Sequence, residues 1–174
     1  MSRPNLTIFK PLLLAMIFAM SAMTGCSSSS NTTETKAEDT NDDSTASETQ
    51  VVIDSIGREV EIPDPVTKAV VANAYNTEII NAIDALDCVI GVDYNIYQDK
   101  ESWKNKFTED MVIGQSQKEL NYEKIIELAP EVLILTGNGT YEEAEQQLEP
   151  FGIKVVVCDA YYTDQFEKSC DLLG

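Results

Sequence analysis

Five of the seven tyrosines in this 174-residue chain follow short apolar runs, where strands of a sheet are expected to end. A tyrosine offers ring area for packing and a hydroxyl for hydrogen bonding, which suits a hydrated ligand surface. Together with polar neighbours on the same predicted loops they form the candidate ligand-binding set: Asn73, Tyr75, Tyr94, Tyr97, Gln117, Thr136, Asn138, Tyr161 and Tyr162. The alternative is that these tyrosines only cover the end of the sheet.

The composition argues against catalysis. The chain has no histidine, so it lacks the usual base of Ser/His or Cys/His catalysis and the commonest metal ligand. Cys88, Cys158 and Cys170 follow no metal-binding spacing, and the first two fall in apolar strand contexts typical of small buried side chains. A disulfide among them remains an alternative, as expected of an exported protein. We therefore expect no catalytic residue, no metal site and no resident cofactor.

The charge is strongly acidic. There are 12 basic and 30 acidic side chains, which give a formal net charge of −18. Such a chain should repel nucleic acid and anionic membrane surfaces, so nucleic acid is excluded as a partner.

The elements that would position these residues alternate between strand and helix. Residues 51–62 alternate in polarity about Gly57, which predicts a β-hairpin. Short apolar runs then predict strands, and helical spacing predicts helices at 77–86, 99–107, 121–129 and 140–148, with a last helix capped by Thr163 or Asp164. Thr140 and Glu143 form a predicted capping box. This order predicts an α/β fold: a parallel sheet with helices on both faces, whose ligands bind at the carboxyl ends of the strands.

Residues 121–135 contain the clearest of these units. Asn121 is a predicted helix N-cap, Pro130 ends the helix, and an apolar strand follows. Glu123 falls in the first helical turn, off the apolar face, where the helix dipole favours its charge. The simplest interpretation is a favourable first-turn residue, and the alternative is a carboxylate presented to a partner.

The N-terminus has the pattern of an export signal. Arg3 and Lys10 precede the apolar residues 12–20, and small residues follow up to Gly25, so residues 1–25 are predicted to be a signal peptide. Cys26 ends a sequence similar to a lipobox, which predicts lipidation of its thiol; an ordinary cleaved signal is the alternative. Residues 26–50 are acidic and rich in Ser and Thr, which predicts a disordered tether. We therefore expect a lipid anchor on the extracytoplasmic face of the cell membrane.

The chain from 51 to 174 resembles the N-terminal lobe of the substrate-binding lipoproteins of ABC importers that take up iron–siderophores, haem and cobalamin. Three motifs carry the resemblance. The first is D-x-x-G-R-x-V-x-I-P, which begins at Asp54; the second is N-x-E-K-I-x-x-L-x-P, which begins at Asn121; the third is Gly152-Ile153-Lys154-Val155 before a strand. In this order and spacing they are specific.

The resemblance implies two α/β lobes joined by one long helix, with a metal chelate held between them. It implies that Glu123 forms a salt bridge to arginines of the membrane permease, which works with its ATPase, and that the protein is a monomer without enzymatic activity. Binding of bare zinc or manganese through imidazoles is not expected. The most favoured cargo is an iron–siderophore.

The resemblance covers one lobe, and residues 51–174 end where the inter-lobe helix would begin. A truncated surface lipoprotein that binds no ligand is therefore one alternative. A lobe of a metallocluster enzyme is another, with the three cysteines as the only candidate cluster ligands.

Overall fold

The computed structural model describes residues 48–174, and its first element is the expected hairpin. Strands β1 (Glu48–Ile53) and β2 (Glu59–Asp64) pair antiparallel, with Val52 opposite Val60. Gly57 has a φ of +83°, a left-handed conformation that a glycine adopts without strain. Because β1 begins at Glu48, residues 48–50 belong to the hairpin and not to the tether predicted for 26–50. The signal peptide 1–25, Cys26 and the rest of the tether lie outside the described residues.

The next units are β3 (Ala69–Val71), α1 (Ala74–Ala82), β4 (Val89–Val92) and α2 (Tyr94–Gln98). The prediction that α1 starts at 77 and that 73–76 form a loop is wrong. The side chain of Asn73 accepts from the backbone N–H of Tyr75 and so caps α1. The helix therefore begins at Ala74, three residues earlier than predicted.

The prediction of a helix at 99–107 is also wrong. The helix of this region is the short α2, which lies before these residues. Asp93 caps α2, because its carboxylate accepts from the N–H of Ile96 at 3.0 Å. Residues 99–107 form turns, in which Lys104 and Asn105 have φ values of +49° and +59° that a continuing helix does not allow. Trp103 and Phe107 nevertheless contact each other across these turns, with ring centroids 5.9 Å apart.

A small antiparallel pair, β5 (Gly114–Ser116) and β6 (Glu119–Leu120), leads into α3 (Tyr122–Leu128) and β7 (Val132–Leu135). Here the prediction is confirmed. The side chain of Asn121 accepts from the N–H of Lys124 at 3.0 Å. The helix ends at Leu128, and Ala129 follows in a left-handed conformation just before Pro130.

The last elements are α4 (Tyr141–Leu148), β8 (Lys154–Val157) and α5 (Phe166–Leu173). Two predicted caps are wrong. The Thr140 side chain makes no capping bond and its hydroxyl donates instead to the carbonyl of Gln117 at 3.1 Å. The last helix begins after Gln165, without a side-chain cap from Thr163 or Asp164.

The central sheet is parallel, in the order β4-β3-β7-β8, with helices on both faces. One apolar core, which includes Val71, Ile80 and Ile134, packs against the side of α1 and α5. The other, which includes Ile125, Leu133 and Leu148, packs under α3 and α4. Each strand is therefore covered on both faces, as its continuous apolar sequence predicts.

The turn of the hairpin closes the outer edge of β8. The N–H of Ser55 donates to the carbonyl of Val157 at 2.8 Å, and the Arg58 guanidinium donates to the carbonyl of Val155 at 3.1 Å. The Asp54 carboxylate accepts from the N–H of Val157 at 3.4 Å. Open strand edges are sites of unwanted pairing, and this turn occupies one of them. Within residues 48–174 no helix has the length and hydropathy needed to cross a membrane.

Candidate functional site

Four chain segments leave the parallel sheet at its carboxyl edge. They are residues 72–76, 93–97, 136–140 and 158–162, which follow β3, β4, β7 and β8 in turn. Because the four strands are parallel, these segments emerge at the same edge. We call them the exit segments. Eight of the nine candidate ligand-binding residues lie on them, and the ninth, Gln117, lies in the turn between β5 and β6.

Three of the candidate tyrosines come together and are named here the tyrosine cluster: Tyr75, Tyr161 and Tyr162. The rings of Tyr75 and Tyr161 have centroids 6.4 Å apart, and those of Tyr161 and Tyr162 are 4.1 Å apart. Tyr75 is 55% exposed and Tyr162 is 50% exposed. Aromatic rings left this accessible at the end of a sheet can receive a ligand without repacking the core.

The phenol of Tyr161 is held in its neutral form. Its hydrogen bond with Tyr162 is the largest cause that raises the pKa of Tyr161 to about 12, and burial and the Asp159 carboxylate act in the same direction. The side-chain amide of Asn138 also approaches the Tyr161 hydroxyl, at 3.4 Å. At neutral pH Tyr161 therefore offers a hydroxyl group and a ring face without phenolate charge.

The other two candidate tyrosines form a separate pair on α2. The rings of Tyr94 and Tyr97 are 5.9 Å apart, and Tyr94 is 40% exposed. The ammonium of Lys100 lies 3.3 Å from the centroid of the Tyr97 ring and donates to the carbonyl of Phe107 at 3.2 Å. One face of Tyr97 is therefore already occupied by a cation from the chain itself.

A polar network joins Gln117 to the exit segment of β7. The Gln117 side-chain oxygen accepts from the backbone N–H of Thr136 at 3.1 Å, and its amide donates to Asn138 at 2.8 Å. The Thr136 hydroxyl lies 2.7 Å from both the Gln117 and the Asn138 side-chain oxygens, so its single proton serves one of them at a time. Gln117 and Asn138 thus fix each other at the edge, and Thr136 is buried beneath them.

Asp159 is a functional candidate that sequence reasoning missed. Its carboxylate accepts from the N–H of Gly137 at 2.7 Å, and its own N–H donates to the Ser55 hydroxyl at 2.9 Å. It therefore ties the exit segments of β7 and β8 to the hairpin turn. A Cβ on Gly137 would lie 3.1 Å from a carboxylate oxygen of Asp159, so this contact is close. The sequence offered one signal for Asp159, which is an acidic residue shortly after the apolar strand β8.

The two asparagines on the exit segment of β3 are committed to structure. Asn73 caps α1 with its side-chain oxygen. Asn76 is fully buried and its amide donates to the carbonyl of Cys158 at 3.0 Å, while its side-chain oxygen has no partner among the described residues. Of these, Asn73 belongs to the predicted set, and its oxygen is not available to a ligand while the cap persists.

Glu123 lies in the first turn of α3 and is exposed, as predicted. Burial raises the pKa of the neighbouring Tyr122 phenol, and a hydrogen bond with Thr140 opposes this. Thr140 belongs to the exit segment of β7, so the start of α3 lies beside the carboxyl edge. The Glu123 carboxylate makes no hydrogen bond or ion pair with another residue of 48–174.

The larger cavities are lined by residues outside the exit segments. One of about 590 Å³ lies between the hairpin, α1 and the end of α5, and another of about 530 Å³ lies between β1 and α5. No candidate ligand-binding residue lines either of them. The candidate residues at the carboxyl edge therefore lie outside both of these cavities.

The cysteine and acidic side chains of residues 48–174 form no candidate metal or redox centre. Cys88, Cys158 and Cys170 are free thiols, and burial raises the pKa of Cys158 to about 11. Within the part of the chain that the structure describes, no three Cys, Asp or Glu side chains are grouped as metal ligands.

The fold of this chain is similar to that of several solved structures. No protein-family model matches the chain, and no curated protein shows significant similarity to it. Among solved structures, a periplasmic solute-binding protein from Veillonella parvula superposes with a TM-score of 0.63 and 20% identity over 73% of this chain and 40% of its own.

Two further matches are proteins with stated ligands. The petrobactin-binding protein YclQ of Bacillus subtilis has a TM-score of 0.57 and 21% identity, over 73% of this chain and 44% of its own. The molybdate-binding protein MolA of Haemophilus influenzae has a TM-score of 0.55 and 24% identity, over 64% of this chain and 35% of its own.

The chain therefore spans less than half the length of these proteins, which corresponds to one of two lobes. The predicted α/β fold, with helices on both faces of a parallel sheet and a hairpin before it, is confirmed. Residues 48–174 have the fold of one lobe of the periplasmic solute-binding proteins of ABC importers, the family that the sequence motifs resemble.

Proposed function

We propose that this chain is the ligand-capturing lobe of an extracytoplasmic solute-binding lipoprotein, which delivers a metal chelate to the permease of an ABC importer. The observation that carries the proposal is the carboxyl edge. There the lobe fold brings together exposed tyrosines and a fixed polar network. This edge faces solvent, which leaves it accessible to a ligand.

The side chains suit a chelate with a polar periphery and apolar arms, of which an iron–siderophore is the favoured class. The tyrosine cluster would pack against the apolar arms. The side-chain amides of Gln117 and Asn138 would form hydrogen bonds with the polar periphery. Such contacts bind and orient a ligand without bond making or breaking. The activity is therefore capture and transfer, not catalysis.

Delivery would use a different part of the same edge. Glu123 stands exposed at the start of α3 and could form an ion pair with a permease arginine, while the permease's ATPase drives transport. Lipidation of Cys26 and a tether up to residue 47 would hold the lobe at the membrane. Two acyl chains give stable anchoring where one is marginal.

The experiment is a calorimetric titration of the purified chain with a ferric hydroxamate siderophore, haem and a corrinoid. A single wall buries less of a ligand than an enclosed pocket, so we expect a dissociation constant on the order of 10–100 μM for one class. Tyr161→Ala should weaken that binding, and Phe151→Ala, which removes an exposed aromatic ring away from the edge, should not. Absence of binding to all three classes would contradict the proposal.

A further inference from the structure

The exit segments contain aromatic and acidic side chains but no basic ones. Residues 72–76, 93–97, 136–140 and 158–162 contain five tyrosines and two aspartates, and they contain no lysine or arginine. Asp93 is used as the cap of α2, and Asp159 holds Gly137. The fixed charges on these segments are therefore negative.

The basic residues around the edge either interact with other groups of the chain or lie exposed at the margin of the edge. Arg58 is bound to Asp54 at 2.8 Å and to Glu145 at 3.0 Å, beside the outer edge of β8. Lys100 lies on the Tyr97 ring. Lys118 is exposed in the turn after Gln117, where solvent and salt screen its charge.

Helix N-termini also meet this edge and contribute partial positive charge. The start of α2 is capped by the Asp93 carboxylate, which offsets that charge directly. The start of α1 is capped by Asn73. Its side-chain oxygen accepts a hydrogen bond from a backbone N–H that would otherwise be free to bind an anion. The starts of α3 and α4 also lie at this edge, and their first turns contain acidic side chains that offset the partial charge: Glu123 in α3, and Glu142 and Glu143 in α4. None of these four helix starts therefore presents an uncompensated anion site.

The tyrosine cluster attracts positive charge. The faces of phenol rings carry negative quadrupole potential, and two rings with half their surface exposed offer such faces to a ligand. The Asp159 carboxylate, only 9% exposed, lies beside the same cluster. It has no basic partner among residues 48–174, so its charge acts on whatever packs against Tyr161.

We infer that the ligand presents a positively charged group to the tyrosine cluster, so that the cargo is a cationic chelate and anionic chelates are disfavoured. This rests on the proposed function. It excludes oxyanions and carboxylate-rich chelates as preferred ligands of this lobe.

The test uses one chelate in three charge states. A linear trihydroxamate–iron(III) complex with a pendant amine carries a charge of about +1, its acetylated form is neutral, and its succinylated form carries about −1. We expect affinity to fall in that order, with a roughly three- to tenfold difference between the ends that shrinks at high salt.

Two variants assign the preference to the edge. Asp159→Asn keeps an oxygen for the Gly137 N–H but removes the charge, so it should reduce the cation preference about threefold. Asp84→Asn makes the same substitution at the far end of α1 and should leave the preference unchanged. Equal loss in both variants would overturn the assignment to Asp159.

The outcomes separate the two proposals. Binding of all three complexes with equal affinity, or tightest binding of the succinylated one, would overturn the charge preference and leave the capture function intact. Binding of haem alone, whose propionates make it anionic, would do the same. Absence of binding to any of these ligands would overturn both.

Discussion

The hairpin turn and the carboxyl edge both gather polar side chains around a carboxylate, but they use them differently. Asp54 is fully engaged: it accepts from the backbone of Ile56, Arg58 and Val157 and pairs with the Arg58 guanidinium. At the carboxyl edge Tyr75 and Tyr162 are about half exposed, and the Asp159 carboxylate lacks a basic partner within the described residues. Polar groups whose bonding capacity is filled stabilise the fold, and those with capacity left are available for binding.

The largest expected effect is on the hairpin turn. Asp54→Ala should lower the free energy of unfolding by about 3 kcal/mol, because it leaves the Arg58 guanidinium and several N–H groups without their acceptor. Urea denaturation followed by the fluorescence of the buried Trp103 measures this. Glu145→Ala removes the exposed partner of Arg58 and should cost less than about 1 kcal/mol. Equal costs would mean that the buried pairing has no special role.

Asp159 should show an intermediate effect. Asp159→Ala removes the acceptor of the Gly137 N–H, which should cost about 1–2 kcal/mol of unfolding free energy. Asp159→Asn retains an oxygen at the same place and should cost less than about 0.5 kcal/mol. Comparable losses in the two variants would show that charge, not the hydrogen bond, holds the exit segments together.

Tyr162→Ala should separate binding from stability. The side chain is half exposed, so the free energy of unfolding should change by less than about 0.5 kcal/mol. Affinity for the bound chelate should fall about three- to tenfold in calorimetry, because a ring face in contact with the ligand is lost. If stability fell and affinity did not, the cluster would be a structural cover for the sheet.

Glu123→Arg should leave chelate affinity unchanged and should lower the free energy of unfolding by less than about 1 kcal/mol, through the helix dipole. We expect at least a roughly tenfold loss of affinity for the detergent-solubilised permease, since an attractive ion pair becomes a repulsive one. Biolayer interferometry with the immobilised chain measures it. The matched control is Glu127→Arg, which places the same charge change one turn further along α3, where the native carboxylate pairs with Lys124. Equal losses would indicate a general charge effect.

The smallest effect is on alkaline titration. A phenol whose pKa is raised in the folded state favours the neutral form, so its contribution to stability is present below the unfolded pKa of about 10. That contribution is lost as the pH rises towards about 12. The pKa values of Tyr122 and Tyr141 are also raised, but less. Ultraviolet titration of the folded chain should therefore show a last ionisation step near pH 12, which belongs to Tyr161. Tyr161→Phe should remove that step, and its persistence would place the raised pKa elsewhere.

Local rules were enough where a residue acts on its own neighbours. Asn121 caps α3 and Pro130 follows its end, and Gly57 adopts the left-handed turn, as the sequence predicted. The same rules failed where a distant group competes. Thr140 was expected to cap α4, but its hydroxyl bonds the carbonyl of Gln117, 23 residues away.

The site was predictable in outline but not in its connections. Strand ends in a parallel sheet must meet, so the tyrosines could be assigned to one edge before the structure was known. Asp159 escaped notice because its partners are Gly137 and Ser55, the latter 104 residues away. No local pattern encodes such a contact. The expected loop at 73–76 became the start of α1 because Asn73, and not a later residue, provides the cap.

The central claim is that the carboxyl edge is the ligand wall, and nuclear magnetic resonance tests it most directly. The ¹⁵N-labelled chain would be titrated with the gallium(III) form of the cationic trihydroxamate, which is diamagnetic and matches the iron(III) complex in charge. We predict that the amide shift changes concentrate in the exit segments (residues 72–76, 93–97, 136–140 and 158–162) and at Gln117, while the amide shifts of the hairpin residues 59–64 stay unchanged. Shifts centred on the cavities beside β1 and α5, or no shifts at saturating ligand, would contradict it.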